Sequence, residues 1–186
     1  MANKEHLQVL FESIASGGCR QWNDWRIDHP QILPELMGLE LLEIKLPFIN
    51  LSKSDLRLAS LCQADFYHAN FENSDLSLAI LEDANLRQAN MTGSKLFRAN
   101  LRGADLGSAN LRGADLRGAD LTGVRLRDAD LTDIIIDSET LRQIQNLYEQ
   151  GVSRLEKIAL LISKHKKVKR LHPAEVKTTL PYLEDR

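Results

Sequence analysis

The chain has 186 residues, with 24 Lys plus Arg against 26 Asp plus Glu, a formal net charge of −2 and 43% hydrophobic residues. This near-neutral balance offers nucleic acid no overall basic surface, and no run of about 18 apolar residues is present to insert into a membrane. Two cysteines in separate segments, Cys19 and Cys62, speak against a structural disulfide, and without a basic-then-apolar leader the expectation is a soluble, cytoplasmic protein with reduced thiols.

The first expected element is an amphipathic helix over Lys4 to Ser16, where Leu7, Leu10, Phe11 and Ile14 fall at i, i+3, i+4 and i+7. Gly17 and Gly18 stop it. A second short helix, Arg20 to Asp28, carries Trp22 and Trp25, the only tryptophans, before Pro30 and Pro34 break helical continuation.

From Leu36 to Ile136 every fifth residue is Leu, Phe, Met or Ile, which makes 21 consecutive five-residue units. Most have a small residue two places before the central one, usually Ala, and an Asn or Asp one place before, most clearly in ANLRGADLGSANLRGADLRGADLTG from Ala99 to Gly123. A period of five matches neither the 3.6 of a helix nor the 2.0 of a strand. It implies a repeat architecture whose units bury their apolar residues by stacking on neighbours. A longer period lies inside the first: the small residue is Ser at 54, 74 and 94, and Asn50, Asn70, Asn90 and Asn110 recur 20 apart. Twenty residues make a coil of four units, which places the serines in one inner column and the asparagines in one outer column, a candidate structural ladder of amides. At about 4.8 Å between stacked backbones, the 21 units make about five coils and a tube on the order of 25 Å long.

This motif, a small residue, Asp or Asn, Leu or Phe, then two polar residues, resembles that of the pentapeptide repeat proteins of bacteria, over Pro34 to Ser138. The resemblance implies an all-β solenoid core, a right-handed quadrilateral β-helix, with central and small residues inward. The stretch W-N-D-W-R followed by two prolines also resembles a leader seen in some members. The small position is larger at the ends (Pro34, Leu39, Ile44 and Ile49, then Val124 and Ile134), where capping elements are expected. A stacked tube ends in unpaired backbone and bare apolar side chains. Trp22 and Trp25 are accordingly read as structural caps against the first coil, in preference to an aromatic ligand cage.

After the repeats, Asp137 and Ser138 offer a helix N-cap, and Leu141, Ile144, Leu147 and Tyr148 line one face up to Gly151. Ser153 to Glu156 matches a capping box for a further helix, with Leu155, Ile158, Ala159 and Ile162 on one face. The expected organisation is an N-terminal helical cap over 1–33, the β-helix over 34–138, and a C-terminal helical cap with a basic tail over 139–186. The net charges of these three parts are −1, −5 and +4, and the densest basic cluster runs from Lys164 to Arg170. It is read as a solvated helix end, with binding to nucleic acid or an acidic surface as the alternative.

Chemistry finds no foothold. The five histidines are scattered, no spacing suits a metal, and Gly103, Gly113, Gly118 and Gly123 recur at a turn position of the repeat, not in a phosphate loop. No enzyme activity, cofactor, metal or small-molecule substrate is expected, because a convex tube offers no cleft to perturb its carboxylates. Breaks in the outward pattern carry the functional signal. Leu58 and Leu78 share a column, Ile80 replaces the usual Asn or Asp, and Phe97 follows in the next coil. These four form a candidate protein-contact strip for an unidentified partner or for a second copy of the chain, a homodimer through this wall or through the C-terminal helices; alternatively, the helix after Ser153 covers them. A smaller group, Phe48, Tyr67 and His68, is expected to be packed by the N-terminal cap. Two functions follow: a regulatory protein-interaction scaffold or, from the family resemblance, a DNA-mimicking modulator of DNA gyrase. Arg102, Arg112, Arg117 and Arg127 interrupt the acidic surface that the second requires, so it ranks behind the first.

Overall fold

A computed structural model describes residues 2–149. The helix expected after Ser153 and the Lys164 to Arg170 cluster lie outside the described residues.

A typical unit closes its own turn, the N–H three residues past the centre donating to the central C=O, as Ala79 does to Leu76 at 3.0 Å. The residue before that N–H takes a left-handed conformation, with φ of +59° at Leu58 and +67° at Gly103. One such corner every five residues folds the chain into four sides. The next coil then pairs in parallel: Leu76 N–H donates to Lys95 C=O at 2.7 Å, and Asp75 N–H to Ser54 C=O at 2.9 Å. Bridges 20 residues apart run from Glu35–Asp55 to Asp115–Ile135. The register therefore holds through the end coils, where the small position carries Leu39, Ile49 and Val124, all buried.

The interior follows from this geometry. The central residues from Leu36 to Ile136 are buried, the alanines fill the space between them, and Ser54, Ser74 and Ser94 form a buried column. Phe66 and Phe71 meet edge to face at 5.3 Å. Burying one such large side chain stabilises by about 1.5–3 kcal/mol, so the stack is held by a contribution repeated at every unit.

Helices lie at both ends. α1 (Lys4–Ala15) is capped by Asn3, whose Oδ1 accepts from the Glu5 and His6 N–H groups at 2.9 and 3.3 Å. Its buried side is centred on His6, Leu10 and Ser13, with Phe11 exposed, a rotation from the expected face. The reason is polar: Ser13 Oγ accepts from the Trp22 N–H at 2.9 Å, and His6 reaches the first coil. α2 (Arg20–Asp28) packs on α1. At the other end α3 (Ser138–Glu149) starts at Asp137, whose Oδ1 accepts from Thr140 N–H at 2.8 Å, and buries Leu141, Ile144 and Leu147.

Candidate functional site

Leu58 and Leu78 close the same corner of successive coils, Ile80 opens the next side, and Phe97 C=O accepts the Leu78 N–H at 2.9 Å. Their side chains are 51%, 47%, 40% and 38% exposed for Leu58, Leu78, Ile80 and Phe97 respectively. The two leucines also hold φ of +59° and +62°. An L-residue with a bulky side chain is disfavoured there by roughly 1–2 kcal/mol, and a half-exposed leucine recovers only part of its burial energy.

Ion pairs border the strip. Arg57 donates to both oxygens of Asp55 at 2.8 and 2.7 Å, and Arg117 to both oxygens of Asp115 at 2.9 and 2.6 Å. These forks hold both carboxyls below the usual carboxylate range. Lys95 approaches Asp75 at 3.5 Å. Beside Phe97 stand two guanidinium groups, Arg98 at 5.2 Å and Arg117 at 6.0 Å from the ring centroid. An apolar centre with a charged rim is the anatomy of a protein contact.

Phe48, Tyr67 and His68 depart from expectation: they are not packed by the N-terminal helices. Phe48 is 59% exposed and His68 is exposed. Phe48 stacks on His68 at 5.3 Å, and Tyr67 stands edge-on to His68 at 4.5 Å. Phe48 and His68 sit at left-handed corners, so their rings point away from the tube, and the hydrogen bond from α2, Asn23 Nδ2 at 2.9 Å, goes to the Phe48 backbone C=O. In a four-sided coil this corner, two sides before that of Leu58, is diagonally opposite the strip.

The asparagine column aligns as bridged pairs Asn50–Asn70, Asn70–Asn90 and Asn90–Asn110. Among the described residues one amide rung forms, Asn90 Nδ2 to Asn70 Oδ1 at 3.3 Å. The continuous ladder gives way to a local duty: each Oδ1 accepts the backbone N–H two residues on, at Ser52, Glu72, Thr92 and Arg112. The amide oxygen is thereby held within its own coil.

At the tube ends, side chains supply the partners that a further coil would supply. Asn50 N–H donates to Asn23 Oδ1 at 2.8 Å, and Asn50 C=O accepts from Trp22 Nε1 at 2.7 Å. Glu35 N–H donates to His6 Nδ1 at 3.1 Å, and Arg26 donates to Ser52 C=O at 2.9 Å. Trp22 is fully buried, and Trp25 is partly buried and stacks on it at 5.2 Å. At the far end Leu121 N–H donates to Gln143 Oε1 at 2.7 Å, while Gln143 Nε2 donates to Ala119 C=O at 3.2 Å. One coil earlier, Asp120 does both jobs with its backbone, for Leu101 and Ala99, at 3.0 Å each. Sequence reasoning passed over Gln143, although a polar residue beside Ile144 on an otherwise apolar helix stripe is a readable signal.

Among the described residues no cluster of His, Cys, Asp or Glu could hold a metal ion, and no helix is long and apolar enough to cross a membrane. A shallow concavity at the α1–α2 turn includes Cys19, Arg20, Asn23 and Asp24. Burial pushes the Cys19 thiol up, away from an activated nucleophile.

No curated protein matches the chain. Solved structures similar to it include a pentapeptide repeat protein of the cyanobacterium Cyanothece 51142, 28% identical, covering 62% of this chain and 97% of that one, TM-score 0.34. Another, from the Arabidopsis thaliana thylakoid lumen, is 26% identical over 60% of this chain and 74% of that one, TM-score 0.45. A third, from Nostoc Pcc 7120, is 38% identical over 49% of this chain and 71% of that one, TM-score 0.44. The family model described as Pentapeptide repeats matches eight copies, over residues 48–83 and 94–133. Its members fold as right-handed quadrilateral β-helices. The five-residue turns, the 20-residue parallel pairing and this match together place the chain in the pentapeptide repeat family.

Proposed function

We propose that this protein is a non-enzymatic interaction scaffold, with a regulatory role, whose rigid wall binds a protein partner through Leu58, Leu78, Ile80 and Phe97. The supporting observation is the coincidence of exposure and left-handed backbone at Leu58 and Leu78. Every corner of this coil is left-handed, so Leu58 and Leu78 stand apart by leaving apolar side chains half-exposed in one column of the wall, beside Ile80 and Phe97. In the same proposal residues 1–33 and the segment from 139 are the caps, with Trp22 and Trp25 as the plugs of the first coil. The contacts of Trp22, Asn23 and Arg26 with first-coil backbone support that assignment.

A DNA-mimicking role toward gyrase requires one continuous anionic face. Residues 34–93 carry nine acidic and four basic side chains, but 94–113 carry four basic and one acidic, which breaks such a face. Affinity capture from the native host, with wild type beside Leu78→Asp/Ile80→Asp, tests the scaffold. A protein retained by the wild type and lost by the double variant is expected; identical captures would sink it. Inhibition of purified gyrase supercoiling at micromolar protein would favour the mimic instead.

A further inference from the structure

The charge at the strip indicates the chemistry of what binds there. Of the eight arginines on the walls of the repeats, seven have a carboxylate within 4.0 Å: Arg57, Arg87, Arg102, Arg112, Arg117, Arg125 and Arg127. Of these eight, Arg98 alone has none among the described residues, and its guanidinium lies beside Phe97.

Its position is fixed by the fold. Arg98 sits at a left-handed corner, φ +54°, in the same column as Leu58 and Leu78. The next residue of that column is Gly118, where an added Cβ would come within 3.0 Å of Arg98 Cγ, so the missing side chain makes room for the arginine stem. The guanidinium rests 5.2 Å from the Phe97 ring centroid. Cation–π contact of this kind contributes about 0.5–1 kcal/mol at an exposed site, and it leaves the in-plane N–H donors free. Arg117, the other cation near Phe97, is already engaged by Asp115.

We propose that the strip's occupant is a protein segment that lays apolar side chains on Leu58, Leu78 and Ile80 and places an Asp or Glu carboxylate on Arg98. The two halves match in scale. Leu58 to Phe97 spans two coil steps, about 10 Å, which equals about two turns of an amphipathic helix. The chain's own basic Lys164 to Arg170 cluster has the wrong sign for Arg98. This inference rests on the contact role proposed above for the same four residues.

The test is selection of binders from a random 12-residue peptide display library on full-length protein, in parallel on Arg98→Gln and on Leu78→Asp/Ile80→Asp. Expected binders of the wild type contain an apolar pair with an acidic residue at a fixed offset and are lost on the double variant. Replacing that acidic residue by its amide weakens binding about tenfold, the worth of one charge-assisted pair, and Arg98→Gln abolishes the difference between the two peptides. Binders that persist on the double variant, or none that depend on the strip, would overturn the contact role itself. Strip-dependent binders without an acidic preference, or with equal affinity for Arg98→Gln, would overturn this inference alone. Wild-type self-association abolished by the double variant would replace the acidic segment with a second copy.

Discussion

Two kinds of residue in this tube carry a cost without a visible local return. Leu78 holds φ +62° with its side chain 47% exposed. Asparagine adopts that conformation more readily, so Leu78→Asn is expected to leave stability unchanged or raise it by up to about 1 kcal/mol in urea unfolding, while binding to the wall is lost. Ser94 is the interior counterpart. Its hydroxyl is buried without a hydrogen-bond partner among the described residues, whereas Ser74, 20 residues earlier in the same column, donates to Phe71 C=O at 2.7 Å. Ser94→Ala is therefore predicted to stabilise by about 1 kcal/mol and Ser74→Ala to destabilise by about as much. Equal effects in the same unfolding assay would contradict the assignment. In residue terms the strip's cost belongs to the proposed contact, and that of Ser94 to the pattern of the repeat.

α3 is the element on which the C-terminal end depends. Gln143→Ala leaves Leu121 N–H and Ala119 C=O without their partners, and an unpaired buried group costs about 1–3 kcal/mol. A melting temperature lower by about 2–4 °C per kcal/mol is expected, with accelerated hydrogen exchange at the Leu121 amide. Gln145, on the same helix and without an edge contact, serves as the control, and its alanine variant should match the wild type. The start of α3 responds to acid. Burial works against the Asp137 charge, but the hydrogen bonds from Thr140, Gly118 and Glu139 outweigh it and lower the pKa. Asp55 and Asp115 are lowered as well, first through their side-chain hydrogen bonds to Arg57 and Arg117. A folded-state pKa below the unfolded value of about 4 stabilises above that pH and is lost as pH falls through the folded value. Thermal stability should therefore decline below about pH 4, and Asp137→Asn should shrink the decline; a flat profile down to pH 3 would contradict these linkages.

At the scale of the molecule, legibility follows from the range of the interaction. The core was readable because each unit's neighbours lie five and twenty residues away, so Leu56 or Ala59 meets the same environment in every coil. The exposure of Leu58 and Leu78 was readable for the same reason, as a break in a column. The closure of the ends was readable only as a need. Which side chains meet Asn50 or Leu121 depends on the angle at which a helix lands, and no period records that angle. Phe48 shows the opposite limit: nearness to α2 in sequence order suggested packing, but a left-handed corner turned its ring outward.

The account separates a repetitive interior, which makes the tube, from a corner strip reserved for contact. The melting temperature of Leu78→Asp/Ile80→Asp tests that separation most directly. Both substitutions install residue types that the repeat already uses at equivalent positions, Asp83 at a corner and Asp75 before a central leucine. The account predicts a melting temperature within about 2 °C of the wild type, as for surface substitutions away from packed groups. A fall of more than about 5 °C, the effect of breaking packed contacts, would show that Leu78 and Ile80 are part of the fold and contradict the claim.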